Sequence, residues 1–301
     1  GERSQYGTRM RTVFRALRTY TFEIFHRPSA NLAPIDGIRA LSMLGVLLYH
    51  IFFLIRLFAT PEQFQQLVLE TPWYLGWVWT LDYTVDAFFV ISGYLIAMLL
   101  YREHSRNGTI DLKRFYWRRY LRLTPAYFAF IGLYLLLSPR PEPNLWANLL
   151  YVQNFITLPE MSMPWTWTLA VEEQFYLLFP LLLLFVVLKA RSPLLILVLL
   201  LAAAAAIAVL VAMRHDVMWN KSYVESFFIN ADFLIYYDSF YVNLHTRFGP
   251  FVSGAIAAYL MHYHRHRIEQ LRQQPLLFNS ISIAAIAALI WILGFNPYTG
   301  E

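Results

Sequence analysis

The sequence contains no cysteine. The chain therefore forms no disulfide, offers no thiolate nucleophile and builds no zinc site with cysteine ligands. Charge is scarce as well, because only 14% of the residues are charged, against about a quarter in a soluble domain. Hydrophobic residues make up 58% of the chain. This balance argues against a soluble protein and indicates an integral membrane protein.

The chain contains several long apolar runs. A helix needs about 20 mostly apolar residues to cross a bilayer. Several segments meet this requirement, so we predict an all-α, polytopic transmembrane helix bundle. The seven predicted spans cover approximately residues 35–58, 80–101, 120–138, 166–188, 192–213, 247–263 and 275–294.

The basic residues are placed unevenly along these spans. Eighteen of the 24 Lys and Arg residues fall on one side of the bundle if residues 139–165 form a loop that does not cross. The opposite loop at 59–79 contains none. Cytoplasmic loops are enriched in Lys and Arg, so we predict a cytoplasmic N-terminus. The short apolar segment Leu145–Phe155 could be re-entrant, and a full crossing there would invert every later span.

The first 30 residues form a separate basic segment. Apolar and Arg positions alternate there with helical spacing, which predicts an amphipathic helix lying on anionic lipid; a flexible basic tail is the alternative. Residues 31–301 then hold the transmembrane domain. The pI near 9.3 reflects these loops, and we predict no nucleic-acid partner.

Ionisable side chains inside the first span point to function, because burying them in a membrane is costly. This span contains Arg39 and His50. Eleven residues at 100° each bring both side chains to nearly the same helix face, about 16 Å apart along the axis. Arg39 could instead anchor the helix end, and His50 could be a hydrogen-bonded packing residue.

The second span begins with two acidic residues. Asp82 and Asp86 are four residues apart and share a helix face. An anionic Asp can orient a histidine, although Asp is also common in the first turn of a helix. Ser92 and Gly93 follow near mid-span. Small residues there indicate close helix contact or a hydroxyl that faces substrate.

The fourth span carries Glu172 next to Glu173. Adjacent helical residues point about 100° apart, so we expect one of them to face the interior as a candidate acid, base or histidine partner. Arg119 and Arg122, three residues apart before the third span, could clamp phosphates on a shared face. Membrane orientation alone also explains them. His262, His264 and His266 do not converge at their spacing on a helix, and we predict no metal site.

These segments, taken in order, resemble the acyltransferase-3 family of integral membrane acyltransferases. The resemblance covers about residues 33–263, with a weaker match at Arg247–Gly254. The stronger matches are Ile35–Leu41 with Leu48–His50, Val85–Leu95, Arg118–Tyr127 and Trp167–Tyr176.

The resemblance implies about ten spans and transfer of an acyl group from a cytoplasmic donor, commonly acyl-CoA. The implied acceptor is a hydroxyl of a surface polysaccharide, glycolipid or other glycoside. We therefore expect this chain to lack its last spans and to lie in a bacterial inner membrane. Acyl-CoA is expected as co-substrate, with no bound cofactor.

The resemblance also implies roles for individual residues. We expect His50 to act as general base or brief acyl carrier, with Glu172 or Asp86 orienting it. Arg39, Arg119 and Arg122 would hold the donor phosphates or polarise the thioester. The donor and substrate contacts are expected to include Arg118, Ser92, Glu173, Trp167 and Tyr176.

Two other functions remain possible from the residues themselves. A proton-coupled transporter or flippase could use His50, Asp86 and Glu172 as a proton relay. The density of intramembrane charge argues against a non-catalytic membrane scaffold.

Overall fold

A computed structural model describes residues 33–55, 58–138, 142–215 and 230–294. The predicted basic helix within residues 1–30 lies outside these ranges. The chain divides into two units, Gly1–Leu41 and Ser42–Glu301. All regular structure in the described ranges is helical, as expected for an all-α protein.

The helices are numbered in chain order. Short 3₁₀ segments occur at Trp73–Tyr83, Gln153–Phe155, Leu158–Glu160 and Pro164–Thr166, and π-helical turns at Leu183–Val187 and Tyr237–Tyr241. The α-helices are α1 Ala33–Ile55, α2 Pro61–Leu69, α3 Thr84–Asn107, α4 Leu112–Leu137, α5 Leu145–Leu149, α6 Trp167–Leu182, α7 Pro193–Arg214, α8 Asn230–Tyr236, α9 Leu244–Tyr263, α10 Arg265–Arg272 and α11 Pro275–Gly294.

Local sequence explains where several helices begin and end. Thr60 and Gln63 form a capping box at α2, with each side chain accepting from the other's backbone N–H; this satisfies two N–H groups that the helix leaves free. Asp111 caps α4 by accepting from the N–H of Arg114 at 3.0 Å. Gly108 ends α3 at φ +69°, a conformation that glycine adopts without steric cost.

Five helical stretches among the described residues are long and apolar enough to cross a membrane, which makes this a multi-pass membrane protein. A sixth crossing results if α10 and α11, bent by 98°, form one broken span. α9 is a helix of 20 residues but is not one of the five, so the count of seven spans stays a prediction. The five stretches are Pro34–Ile55, Tyr74–Asn107, Leu112–Leu137, Pro164–Val187 and Pro193–Arg214.

Helices α3 and α9 pack side by side and run in the same direction. Asp86 pairs with Arg247 near their first turns, and Ser105 contacts His262 near their last turns. Residues early in one helix contact residues early in the other, and late residues contact late residues, so the two helices are parallel. Two parallel helices must be joined by an odd number of further crossings if both span the membrane.

Helix α4 runs opposite to α6. The hydroxyl of Tyr116, early in α4, donates to the carbonyl of Leu177 late in α6 at 2.8 Å, while Tyr134 lies against Trp165 before α6 begins. The intervening helix Leu145–Leu149 has five residues, far fewer than the roughly 20 that a crossing needs. The geometry thus agrees with a connection that returns to its starting side.

Two glycines allow α3 and α9 to approach each other closely. A Cβ atom at Gly93 would overlap the carbonyl oxygen of Phe251, and one at Gly254 would overlap that of Val90. Small residues of this kind permit tight helix packing in membranes. The contact fixes the rotation of α3 and turns the adjacent Ser92 away from α9.

Aromatic rings fill the centre of the bundle where α3, α6 and α9 meet. The rings of Phe175 and Phe251 stack with centroids 4.2 Å apart, and Phe89 stacks on Phe251 at 4.5 Å. Phe179 continues the stack one turn along α6. These side chains are fully buried, so dispersion contacts hold the three helices in register.

Candidate active site

A serine and a glutamate meet inside the bundle. The Ser92 hydroxyl on α3 donates a 2.6 Å hydrogen bond to Oε1 of Glu172 on α6. Both residues are buried, with 9% of each exposed. Hydrogen bonds to a carboxylate are short and strong, and the low dielectric of the interior strengthens them further. The Tyr176 hydroxyl, one turn along α6, interacts with both groups.

Arg119 of α4 contacts two residues of α6 that neighbour Glu172. Its guanidinium carbon lies 3.0 Å from the ring centroid of Tyr176, and its Nε lies 3.7 Å from Oε1 of Glu173. That Nε is buried and has no hydrogen-bond acceptor among the described residues. The side chain is 19% exposed, so the guanidinium is a partly exposed cation with one N–H donor unused among the described residues.

Ser92, Arg119, Glu172, Glu173 and Tyr176 are called the central cluster below. The two glutamates in it point different ways, as the 100° step of a helix requires. Glu172 faces α3 and the interior, whereas the side chain of Glu173 is 25% exposed and pairs with α4. The cluster therefore joins three helices through one buried and one partly exposed carboxylate.

A second polar group lies at the first turns of α3 and α9. Arg247 Nη1 lies 2.8 Å from Oδ2 of Asp86, and Arg247 Nε donates to the carbonyl of Tyr241 at 2.8 Å. The guanidinium also lies over the rings of Tyr241 and Trp167, 4.6 and 5.8 Å from their centroids. Arg247 is almost fully buried, so this pairing is part of the bundle's structure.

Within the described ranges Glu172 bonds to Ser92 and Asp86 pairs with Arg247, and the expected role of either acid in orienting His50 stays a prediction. His50 is exposed, and its Nδ1 donates to the carbonyl of Val46 at 2.8 Å. Among the described residues no contact joins it to either acid. With Nδ1 as the donor, the neutral ring keeps the Nε2 lone pair free to accept a proton.

The other predicted residues occupy different places. Arg118 and Arg122 are exposed on α4, so they flank Arg119 on the surface. Arg39 is half-buried and belongs to the described part of the first unit. Trp167 is buried against Arg247 and stands edge-on to Phe89 at 6.0 Å. Among the described residues, no group of three or more His, Asp or Glu side chains could hold a metal ion.

Sequence reasoning missed a network of buried amides that fixes the 142–166 connection onto α6. Gln174 donates to the carbonyl of Tyr151 at 2.9 Å and to Oδ1 of Asn154 at 2.7 Å. Asn148 and Gln153 both donate to Oγ1 of Thr166. The concentration of Asn and Gln in an otherwise apolar stretch is the signal that could have revealed it.

Tyr151 is the point of strain in this connection. Its φ of +57° is the one positive value at a non-glycine residue in the described ranges, which is uncommon for a bulky side chain. Its ring stacks on Tyr127 with centroids 4.9 Å apart. Burial raises the pKa of Tyr151 to about 12, so the phenol is neutral at ordinary pH.

Sequence reasoning included Arg247 in a weak motif match but missed its role, because its partner Asp86 is 161 residues away. Comparison with known families settles where this arrangement belongs: the acyltransferase-3 model, described as an acyltransferase domain, matches residues 32–300. The chain belongs to the acyltransferase-3 family. This confirms the family that the sequence motifs predicted and shows that the chain carries an acyltransferase domain.

Relatives of this acyltransferase-3 chain include bacterial O-acetyltransferases. It is 33% identical over 174 residues to O-acetyltransferase OatA of Staphylococcus aureus strain NCTC 8325 / PS 47, and to the OatA protein of strain COL. Each match covers 52% of this chain and 25% of the relative. The chain thus spans about a quarter of the length of these relatives. No solved structure matches it.

Proposed function

We propose that this protein is a membrane O-acyltransferase that moves an acyl group from cytoplasmic acyl-CoA to a hydroxyl of a surface polysaccharide, glycolipid or other glycoside. The observation that carries the proposal is the central cluster. Buried ionisable groups inside a helix bundle are costly and are kept for function. The relatives named as O-acetyltransferases support acetyl as the group transferred.

The directions of the helices support a two-sided reaction. We propose seven spans with a cytoplasmic N-terminus, in a bacterial inner membrane. The last turns of α3 and α9 then lie on the cytoplasmic side, and the first turns of α3, α6 and α9 on the outer side. Arg119 lies seven residues into α4, about 10 Å from its cytoplasmic start, and Glu172 lies five residues into α6, about 8 Å from the opposite start. The proposed topology therefore places Arg119 about 10 Å from the cytoplasmic helix ends and Glu172 about 8 Å from the outer ones.

The donor is assigned to the α4 side of the cluster. Arg119 presents an unfilled N–H donor, and exposed Arg118 and Arg122 add positive charge one residue before it and three residues after it on the same helix. Guanidinium groups bind phosphates through paired, charge-assisted hydrogen bonds. The coenzyme phosphates would be held near Arg118 and Arg122, with Arg119 closest to the thioester.

The acceptor hydroxyl is assigned to His50. The Nδ1 hydrogen bond to Val46 fixes the ring and leaves Nε2 as the basic atom. A neutral imidazole is the side chain best suited to remove a proton near neutral pH. In this proposal Glu172 is the hydrogen-bond partner of Ser92, whose hydroxyl donates to its carboxylate.

Release of free CoA from labelled acetyl-CoA tests the proposal. We expect the purified protein in liposomes to release CoA in the presence of a glycan or glycoside acceptor, and His50→Ala to reduce the rate by about 10²–10⁴-fold. Because His50 is exposed, the variant should remain folded, which size-exclusion chromatography checks. If the protein moves protons across the membrane and releases no CoA with any hydroxyl acceptor, the acyltransferase proposal is rejected and a transporter or flippase is favoured.

A further inference from the structure

Ser92 and Glu172 have the geometry of a nucleophile and its base. A hydroxyl is a weak nucleophile until an adjacent base takes its proton, and the structural signature is a direct hydrogen bond between the two. The 2.6 Å bond from Ser92 Oγ to Glu172 Oε1 meets this requirement. It joins α3 to α6 at residues 80 apart in the chain, so the pairing is made by the fold.

We propose that Ser92 is the catalytic nucleophile that carries the acyl group between donor and acceptor, with Glu172 as its general base. This inference rests on the proposed acyltransferase function and gives it a covalent intermediate. Its location supports it, since Ser92 lies eight residues into α3, between the cytoplasmic cations of α4 and the outer ends of α3, α6 and α9. A donor and an acceptor on opposite sides can then react without meeting.

The first half-reaction balances within the residues named. Ser92 Oγ attacks the thioester carbonyl as its proton passes to Glu172, and the tetrahedral intermediate collapses with cleavage of the C–S bond. The proton moves from Glu172 to the leaving thiolate. Acyl-CoA and serine become CoA thiol and an O-acyl serine, with no oxidant or reductant.

The second half-reaction transfers the acyl group from Ser92 to the acceptor hydroxyl. The acceptor hydroxyl loses its proton to His50 and attacks the serine ester, and the bond from the carbonyl carbon to Ser92 Oγ breaks. The proton on His50 then passes through water to the serine oxygen, which restores the neutral imidazole and the serine hydroxyl, while Glu172 remains a carboxylate throughout this half-reaction. The net products are the acylated acceptor and free Ser92.

Tyr176 completes the arrangement beside the reacting atoms. Its hydroxyl interacts with Ser92 and Glu172, so in this proposal it is the donor nearest the tetrahedral intermediate formed on Ser92. A fixed donor at such a position stabilises developing charge without reorganisation. The close contact of Gly93 with Phe251 holds the rotation of α3 that aims Ser92 at α6.

The experiment traps the intermediate in the intact membrane protein. Purified protein is mixed with labelled acetyl-CoA without acceptor, quenched in acid and digested, and the labelled peptide is identified by mass spectrometry. We expect one burst of CoA per protein and the label on Ser92. Ser92→Ala should abolish the label and lower turnover by about 100-fold or more, since both steps pass through its oxygen. Glu172→Gln should also leave the protein unlabelled.

Two further variants separate chemistry from packing. Ser253→Ala, which removes a hydroxyl bonded to its own helix at Gly249, should label and turn over as the wild type does. Ser92→Cys places a single thiol in a chain without cysteine, and we expect a thioester there that neutral hydroxylamine removes. A hydroxyl that merely joins two helices would show neither the label nor the thioester.

The outcomes distinguish this inference from the function on which it rests. If the wild type releases CoA with an acceptor but Ser92→Ala keeps more than about a tenth of that rate, Ser92 is not the carrier and the acyltransferase stands. Label found on another residue leads to the same conclusion. If the wild type releases no CoA with any acceptor, the proposed function fails and the carrier role fails with it.

Discussion

Arg247 in the first turn of α9 binds Asp86 in the first turn of α3 through a 2.8 Å ion pair. Because the helices are parallel, their N-terminal ends lie together and their partial positive charges add. The negative charge of Asp86 is favourable at these helix ends, whereas the positive charge of Arg247 is not. The arginine is therefore stabilised by Asp86 and by the carbonyl of Tyr241, to which its Nε donates. The pair thus holds the helix that carries Ser92 against its neighbour.

Removal of one partner should therefore destabilise the protein strongly. We expect Arg247→Met to lower the free energy of unfolding by about 3–5 kcal/mol, since it leaves Asp86 as a partly buried, uncompensated charge. The double variant Asp86→Leu/Arg247→Met should recover much of this loss. Thermal unfolding in detergent, followed by circular dichroism, measures both.

The exposed pair Arg265–Glu269 provides the control for this ion pair. Its atoms are as close, at 2.7 Å, but its side chains are 75% and 51% exposed. Arg265→Met should change stability by less than about 1 kcal/mol. Equal losses for Arg247→Met and Arg265→Met would show that burial does not decide the strength of the pair.

The glycine contact between α3 and α9 gives a second prediction. Gly93→Ala and Gly254→Ala should both reduce the yield of folded protein, because each new Cβ meets backbone atoms that cannot move aside. Overpacking of this kind typically costs about 1–3 kcal/mol. Gly132→Ala in α4 is the control, since a Cβ there meets no atom within 4 Å, and alanine favours the helix by about 1 kcal/mol. Fluorescence-detected size-exclusion chromatography compares the three, and tolerance of Gly93→Ala would contradict the close approach.

Features that depend on neighbouring residues within one helix could be predicted from the sequence. Contacts between residues far apart in the chain could not. Apolar runs located the long helices, and the 100° step predicted that one glutamate would face inward. The rotation of one helix against another cannot be predicted from the period of its own sequence, so the sequence could not show that Glu172 pairs with Ser92. The role of Arg247 was missed because its partner is remote in sequence and its span is less apolar than the others. Buried amides such as Gln153 stabilise a connection whose path depends on the packing of the complete bundle.

Arg119 should contribute mainly to donor binding. We expect Arg119→Lys to raise the apparent KM for acetyl-CoA roughly tenfold or more while kcat falls less, because lysine keeps the charge but loses the planar stack on Tyr176 and the forked donors. Exposed Arg267→Lys in α10, which has no place in the proposed donor site, is the control and should change KM little. The KM of the wild type should also increase with salt, as screening weakens attraction to the phosphates. An unchanged KM in Arg119→Lys would remove this residue from the donor site.

The proposed topology predicts which side of the membrane each connection occupies. Since the chain has no native cysteine, single cysteines can be introduced at exposed positions and labelled with an impermeant maleimide. Thr109→Cys and Gln270→Cys should react only from the cytoplasmic side, and Gln66→Cys and Thr157→Cys only from outside. Reaction of Gln270→Cys from outside would mean that the 142–166 connection crosses, and it would invert α6, α7 and α9.

The two neighbouring glutamates of α6 should differ sharply in their effect on turnover. Glu172→Gln keeps the shape of the side chain and an oxygen that can accept from Ser92, so the protein should fold, but it removes the base and should lower turnover by about 10²-fold or more. Glu173→Gln removes a partly exposed charge 3.7 Å from Arg119 and should have a much smaller effect on turnover, with a modest increase in the donor KM. Both variants are compared by CoA release at saturating acetyl-CoA, with folding checked by thermal unfolding. A severe defect in Glu173→Gln beside a nearly normal Glu172→Gln would assign the chemistry to the carboxylate on the α4 side, and the base would then be the group that pairs with Arg119.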